Sequence, residues 1–96
     1  MDEAQFRAFL EKKTHSDGKH YTPKSIAARM GRARKVEKFL GCDLDEAVSS
    51  DVKMHESLLT LRDYDDRERN HQNITRLYYE FRNGKTFPKL RDLEEI

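Results

Sequence analysis

Residues 21–40 read YTPKSIAARMGRARKVEKFL, and this stretch carries the clearest helix signals of the chain. Thr22 is a good N-cap, and Pro23 occupies the first helical position, where its missing N–H group costs nothing. Gly41 is placed to end the helix in a left-handed backbone conformation. Gly31 costs about 1 kcal/mol relative to alanine in mid-helix, so we expect a neighbour to approach closely there. The pattern predicts a helix with one apolar face, formed by Ile26, Met30, Ala33, Val36 and Leu40.

Shorter helical patterns flank this stretch on both sides. An acidic start and apolar residues at helical spacing predict a first helix over residues 2–13, followed by a loop. A third helical region begins near Asp43, is broken near Ser49 and Ser50, and carries an apolar side. The residues of that side are Val52, Leu58, Leu59 and Leu61.

A last helix is predicted after the charged residues 62–69, and Asn83-Gly84 is its stop signal. Its apolar face comprises Ile74, Leu77, Tyr78 and Phe81. Of the adjacent Tyr78 and Tyr79, we expect one to pack and the other to lie at the wet surface. The sequence thus predicts an all-α fold, a compact four-helix bundle with a short, broken third helix. We place the helical domain at residues 1–84 and a tail at residues 85–96, which packs through Phe87 and Leu90 and then becomes mobile.

The composition limits the classes of function that fit this chain. Its 96 residues suffice for one domain with a small core, and its 39% charged residues leave a formal net charge of only +1. A field of that size neither attracts nor repels a polyanion strongly, so binding to nucleic acid would require a local basic patch. The single cysteine cannot form an internal disulfide, and neither a signal peptide nor a membrane-spanning run is evident. We expect a cytoplasmic protein without a membrane partner.

The helix predicted over residues 23–40 has a basic side opposite its apolar face. This side carries Lys24, Arg32, Lys35 and Lys38, with Arg29 and Arg34 on its flanks. Each phosphate that such a side chain neutralises releases counterions, so a stripe of this kind gives salt-dependent affinity for DNA. The alternative interpretation is the solvated face of an ordinary helix.

The last helix offers a second polar stripe, formed by Arg69, Asn73 and Arg76, with Gln72 beside it. Arginine pairs with guanine in the major groove, and asparagine or glutamine pairs with adenine, in both cases through two hydrogen bonds. Arginine also binds phosphates. Glu80, one turn after Arg76, favours the alternative of a plain polar face.

No residue pattern indicates catalysis. The four histidines are scattered and lack a nearby cysteine or paired carboxylate, and the acidic residues between 63 and 68 lack the glycine and the distal glutamate of a calcium loop. The serines occupy capping or helical positions. We therefore expect no metal, no cofactor, no small-molecule substrate and no enzymatic activity of the chain by itself.

The order of apolar and polar positions resembles that of the core-binding domain of tyrosine recombinases, the phage integrases. The resemblance covers about residues 2–84 and rests on helix lengths and hydrophobic positions: Ser25-Ile26 to Phe39-Leu40, then Leu44, Val48 through Val52 to Leu58–Leu61, and Asn73-Ile74 through Leu77-Tyr78-Tyr79 to Phe81. It implies a SAM-like four-helix domain, of prokaryotic or phage type, that clamps duplex DNA during recombination. A separate C-terminal domain cleaves the strand in that family.

The resemblance also implies which residues meet DNA, because the DNA-facing surfaces of that family lie on the second and fourth helices. The matching positions are Lys24, Arg32, Lys35, Arg69, Asn73 and Arg76. With Arg29 from the flank of the basic side, these are the seven residues that we expect to bind DNA. The family's catalytic residues belong to a domain that is not in this sequence, so Tyr78 and Tyr79 are not its nucleophile. The chain is then either part of a longer recombinase or a free-standing protein on the same scaffold.

Three hypotheses follow: a DNA-binding module, a protein-interaction module, and an accessory domain of some other DNA-acting enzyme, which only the parent gene could separate from the first. The first predicts that Lys24, Arg32 and Lys35 share a surface with the start of the last helix. The second predicts an exposed apolar patch, with the basic side chains paired internally to Glu37, Glu46 or Glu56.

Overall fold

A computed structural model of the protein describes residues 1–14, 17–63 and 69–89. Within these ranges the chain forms five helices: α1 (Glu3–Lys12), α2 (Pro23–Leu40), α3 (Leu44–Ala47), α4 (Asp51–Asp63) and α5 (Asn70–Asn83). This part of the chain contains no β-strand, only an isolated bridge between Thr14 and His20. The predicted all-α fold is therefore confirmed, and the predicted break separates α3 from α4. Leu90, predicted to pack on the bundle, and the end of the tail beyond Asp92, predicted to be mobile, both lie outside the described residues.

The ends of α2 are formed by the residues that the sequence indicated. The Thr22 hydroxyl oxygen accepts a hydrogen bond from the backbone N–H of Ser25 at 3.1 Å, which satisfies one of the free donors of the first turn. At the other end, Gly41 adopts a φ of 71° and its N–H donates to the carbonyl of Glu37 at 2.9 Å. These caps fix the length of the basic helix.

The core is built from residues of all five helices, and α2 packs most extensively against α5, which also packs against α4. The α2 residues Ile26, Met30, Ala33 and Val36 are buried as predicted. They belong to one hydrophobic core with apolar side chains of every other helix, among them Phe6 and Leu10 of α1, Leu44 of α3, Leu58 of α4 and Ile74 of α5. One α2 face is thus committed to packing, and its remaining surface is available for other contacts.

Three sequence expectations about individual residues were wrong. Tyr78 and Tyr79 are both buried, because their rings pack on different neighbours: Tyr78 on Phe6 and Tyr79 on Phe87. Val52 belongs to no apolar face, since 69% of it is exposed in the first turn of α4. No neighbour approaches Gly31 closely, because a Cβ placed there would find no neighbouring atom within 4 Å.

A polar network joins α5 to α3 and to the N-terminus. The Tyr78 hydroxyl donates a hydrogen bond to Asp45 Oδ1 at 2.6 Å and accepts one from the backbone N–H of Asp2 at 3.0 Å. Arg82 Nε donates to the same Asp45 oxygen at 2.5 Å, and the α-ammonium of Met1 lies 3.6 Å from this carboxylate. Burial alone would raise the pKa of Asp45, but the hydrogen bonds from Arg82 and Tyr78 outweigh it and lower the pKa to about 2. Burial and the bond to Asp45 raise the pKa of Tyr78 to about 12.

Candidate nucleic-acid interface

A cleft of about 380 Å³ lies between α2 and α5 and is also lined by the segment that follows α5. Its polar lining consists of Arg29, Arg32, Asn70, Asn73, Arg76, Glu80 and Thr86. Its apolar lining includes Ile74 and Leu77 of α5 and the aromatic rings of Tyr21 and Phe87. The cleft therefore places three guanidinium groups beside apolar and aromatic surface.

The α2 side of the cleft is formed by Arg29 and Arg32, which lie three residues apart and therefore on neighbouring positions of the helix surface. The guanidinium carbon of Arg29 lies 4.1 Å from the centre of the Tyr21 ring, and its Nη1 donates to the hydroxyl and carbonyl oxygens of Ser25. These contacts hold Arg29 in one orientation. Arg32 is half-buried, and its guanidinium N–H groups donate no hydrogen bond to any of the described residues.

The α5 side of the cleft is formed by Asn73 and Arg76. Asn73 is exposed, while Arg76 is half-buried, and its Nη1 donates to the carbonyl oxygens of Phe87 at 2.9 Å and Pro88 at 3.0 Å. Burial lowers the pKa of Arg76, and the positive charge of Arg69 lowers it further. Arg69, directly before α5, thus adds to the positive potential at this side of the cleft.

The acidic side chain in the cleft does not neutralise these arginines. Glu80 Oε1 accepts a hydrogen bond from Lys13 Nζ at 3.0 Å, so its charge is balanced from α1. Among residues 1–14, 17–63 and 69–89, no carboxylate forms an ion pair with Arg29, Arg32 or Arg76. Within these ranges, no ion pair neutralises their positive charge.

The seven residues predicted to bind DNA fall into three groups in the structure. Four of them line the cleft, namely Arg29, Arg32, Asn73 and Arg76. Arg69 directly precedes α5, with a left-handed backbone φ of 58° instead of a place within the helix. Lys24 and Lys35 are exposed on α2 outside the cleft, so the predicted shared surface with the start of α5 includes Arg32 alone of the three. Gln72, expected beside the stripe, is only 7% exposed.

Sequence reasoning missed the aromatic part of this site. Tyr21 had no assigned role, although an apolar residue just before an N-cap commonly packs against the first turns of its helix. Phe87 was expected to pack on the bundle, and no signal tied its backbone to Arg76. The hydrogen bond from Arg76 to the Phe87 carbonyl depends on the path of the chain after Gly84, which helical periodicity does not describe.

A cluster of metal-binding side chains and a membrane-spanning helix are both absent from the residues that the structure describes. No three histidine, cysteine, aspartate or glutamate side chains in that part of the chain are arranged to hold a metal ion. None of its helices has the length and apolar character needed to cross a membrane.

Comparison with known proteins adds no relative. No family model, no curated protein and no solved structure matches this chain. The resemblance to recombinase core-binding domains stays a prediction from the sequence.

Proposed function

We propose that this domain is a non-catalytic DNA-binding module that contacts duplex DNA through the cleft between α2 and α5. The observation that carries the proposal is the position of Arg29, Arg32 and Arg76 in one cleft, where no carboxylate of the described residues pairs with them. Arginine forks match the geometry of phosphate oxygens, and a partly desolvated site strengthens each such contact. The resemblance to core-binding domains points in the same direction.

The residues in and around the cleft would contact different parts of the DNA. Arg29 and Arg32 bind backbone phosphates, because both present guanidinium groups to the cleft and one of them is already oriented by Tyr21. Lys24 and Lys35 extend this phosphate contact along the outer side of α2. They lie eleven positions apart, which brings them to nearly the same side of a helix with 3.6 residues per turn.

Asn73 is the residue best placed to read bases. Its side chain is exposed at the cleft, and an asparagine amide can form two hydrogen bonds with adenine in the major groove. Arg69, next to the N-terminal end of α5, adds a charge where the helix dipole already favours phosphate. Most of the affinity would still come from phosphates, so sequence preference would be limited.

The alternative, a protein-interaction module, has less support. It predicted that Glu37, Glu46 or Glu56 pairs with the basic stripe, yet Glu37 contacts the Met1 ammonium and Glu46 pairs with Lys53. The exposed large apolar side chains among the described residues are Phe39 and Val52, which are 39% and 69% exposed. A stable protein interface normally buries a larger apolar centre.

The proposal is tested by fluorescence anisotropy with a labelled duplex at about 50 and 200 mM salt. We expect micromolar binding that weakens with salt, and we expect Arg29→Gln/Arg32→Gln to reduce both the affinity and the salt slope. The matched control is Arg34→Gln/Lys53→Gln, which removes the same charge from residues paired with Glu3 and Glu46. Absence of salt-sensitive binding, or equal losses of affinity in the two double variants, would contradict the proposal.

A further inference from the structure

The chain after α5 turns back along that helix instead of leaving it. Gly84 has a φ of 70°, which ends α5, and residues 85–89 then follow as Lys-Thr-Phe-Pro-Lys. We call residues 85–89 the wall segment, because Thr86 and Phe87 line the cleft together with the α2 arginines. Phe87 is 7% exposed, and its ring centre lies 5.1 Å from that of Tyr79 in an edge-to-face arrangement.

Arg76 holds the backbone of the wall segment in place. Its Nη1 donates to two successive carbonyl oxygens, those of Phe87 and Pro88, so both hydrogens of this nitrogen have an acceptor. Tyr79, which packs on the Phe87 ring, lies three residues further along α5 and so on the same side of the helix. One strip of α5 therefore fixes both the ring and the backbone of the segment.

We infer that Arg76 is a positioning residue, which acts on DNA binding by fixing the wall segment as the third side of the cleft. This inference rests on the proposed function. The segment would contribute through Lys85 and Lys89, both exposed, which flank the buried Phe87 on either side in sequence. The reason is conformational entropy. A segment that is not fixed loses conformational freedom when its two lysines bind DNA, whereas a segment that folding has already fixed does not.

The alternative role for Arg76 is a direct bond to phosphate. Such a bond would act independently of Lys85 and Lys89, so the effects of substituting Arg76 and the two lysines would add. A positioning role predicts that the effects do not add, because substituting Arg76 releases the segment and the two lysines then contribute less to DNA binding. The two roles are therefore separable by a double-mutant cycle.

The experiment measures DNA affinity against salt for the full chain, Arg76→Gln, Lys85→Gln/Lys89→Gln, and the triple variant. In the full chain the lysine pair should lower the salt slope by about two, one for each phosphate that the lysines neutralise. In the Arg76→Gln background the same pair should lower it by less than about one. An equal decrease of the slope in both backgrounds, or no decrease in the full chain, would overturn the inference.

A second measurement follows the wall segment without DNA. Backbone order parameters of residues 85–87 and 89 should fall from near 0.85, typical of rigid backbone, to below about 0.6 in Arg76→Gln. The control is Arg32→Gln, which removes an arginine of the same cleft that does not contact the segment, and which should leave these values unchanged. Unchanged values in Arg76→Gln would overturn the positioning role even where DNA binding is intact. Absence of DNA binding by the unmodified chain would overturn the proposed function and this inference together.

Discussion

Replacing Tyr78 with phenylalanine isolates the polar network that joins α5 to α3 and the N-terminus. The ring is fully buried between Phe6 and Phe81, so Tyr78→Phe keeps the packing and removes only the hydroxyl group. That hydroxyl makes two hydrogen bonds, one to the Asp45 carboxylate and one from the Asp2 N–H. The substitution therefore tests how much these two bonds stabilise the fold.

The expected loss of stability follows from the kinds of bond. A neutral hydrogen bond contributes about 1 kcal/mol net, and one to a charged acceptor about 1.5–3 kcal/mol. The Asp45 side chain is 41% exposed and keeps its bond to Arg82, so the lower end of the second range applies. Tyr78→Phe should lower the free energy of unfolding by about 2–3 kcal/mol.

Urea denaturation followed by circular dichroism gives this free energy, and the slope against urea should stay constant. The pH dependence is a second readout. Because the pKa of Asp45 falls from 3.8 to about 2 on folding, its contribution is complete above pH 3.8 and is lost as the pH falls toward 2. Because the pKa of Tyr78 rises from 10.0 to about 12, its contribution is complete below pH 10 and is lost as the pH rises toward 12. The variant should show a smaller acid loss and lack the alkaline loss from Tyr78.

Tyr79→Phe is the matched control. Tyr79 is also buried, but among the described residues its hydroxyl makes a single hydrogen bond, to the exposed Asp51 carboxylate at 2.8 Å, so the loss of stability should be about 1.5 kcal/mol. If Tyr78→Phe destabilised the domain no more than Tyr79→Phe, or left the loss between pH 3.8 and 2 unchanged, the reasoning about this network would be wrong.

Three further predictions concern stability measured by the same denaturation assay. Gly31→Ala should stabilise the domain by about 0.5–1 kcal/mol, because the added methyl group meets no neighbouring atom and alanine favours the helix; a decrease in stability would contradict this. Arg69→Asn should stabilise it by about 0.5–1 kcal/mol, since asparagine tolerates a φ of 58° better than arginine does, and an unchanged midpoint would refute the strain. Leu58→Ala should cost about 3 kcal/mol and Val52→Ala under about 0.5 kcal/mol, because Leu58 is fully buried and Val52 is exposed; similar costs would show that α4 faces the core differently.

The sequence predicted well where the signal is local. The ends of α2 depend on a hydroxyl that reaches its own first turn and on a glycine with a positive φ, and both requirements are visible in Thr22 and Gly41. The break between α3 and α4 is similar, because the Ser50 hydroxyl caps α4 through the N–H of Lys53. Such contacts span three or four residues, so no knowledge of the tertiary fold is needed.

Burial of individual side chains was less predictable because it depends on distant neighbours. Periodicity places Tyr79 beside the apolar face of α5, and the ring of Phe87, eight residues later, packs against it. Val52 follows an apolar spacing, but it lies in the first turn of α4, and nothing from the other helices covers 69% of it. A helical pattern gives the side of the helix, while the fold decides how wide the buried side is.

The candidate site was also predictable only in part, because local signals were visible in the sequence and contacts between distant elements were not. The helical pattern placed Arg29 and Arg34 on opposite flanks of α2, but it did not say which flank meets α5. In the structure Arg29 lines the cleft and Arg34 pairs with Glu3 of α1. The role of the wall segment was not predictable for the same reason, because it depends on where the chain passes after α5.

A formal net charge of +1 is compatible with a local positive site, because no carboxylate of the described residues forms an ion pair with Arg29, Arg32 or Arg76. Asp45 pairs with Arg82, Glu80 with Lys13, and Glu3 with Arg34, which leaves the cleft arginines without acidic partners in that part of the chain. The two double variants proposed for DNA binding both change the formal charge from +1 to −1, since each removes two positive charges. A difference in their DNA affinity therefore cannot come from total charge. It would have to come from which charges the fold has left unpaired at the cleft.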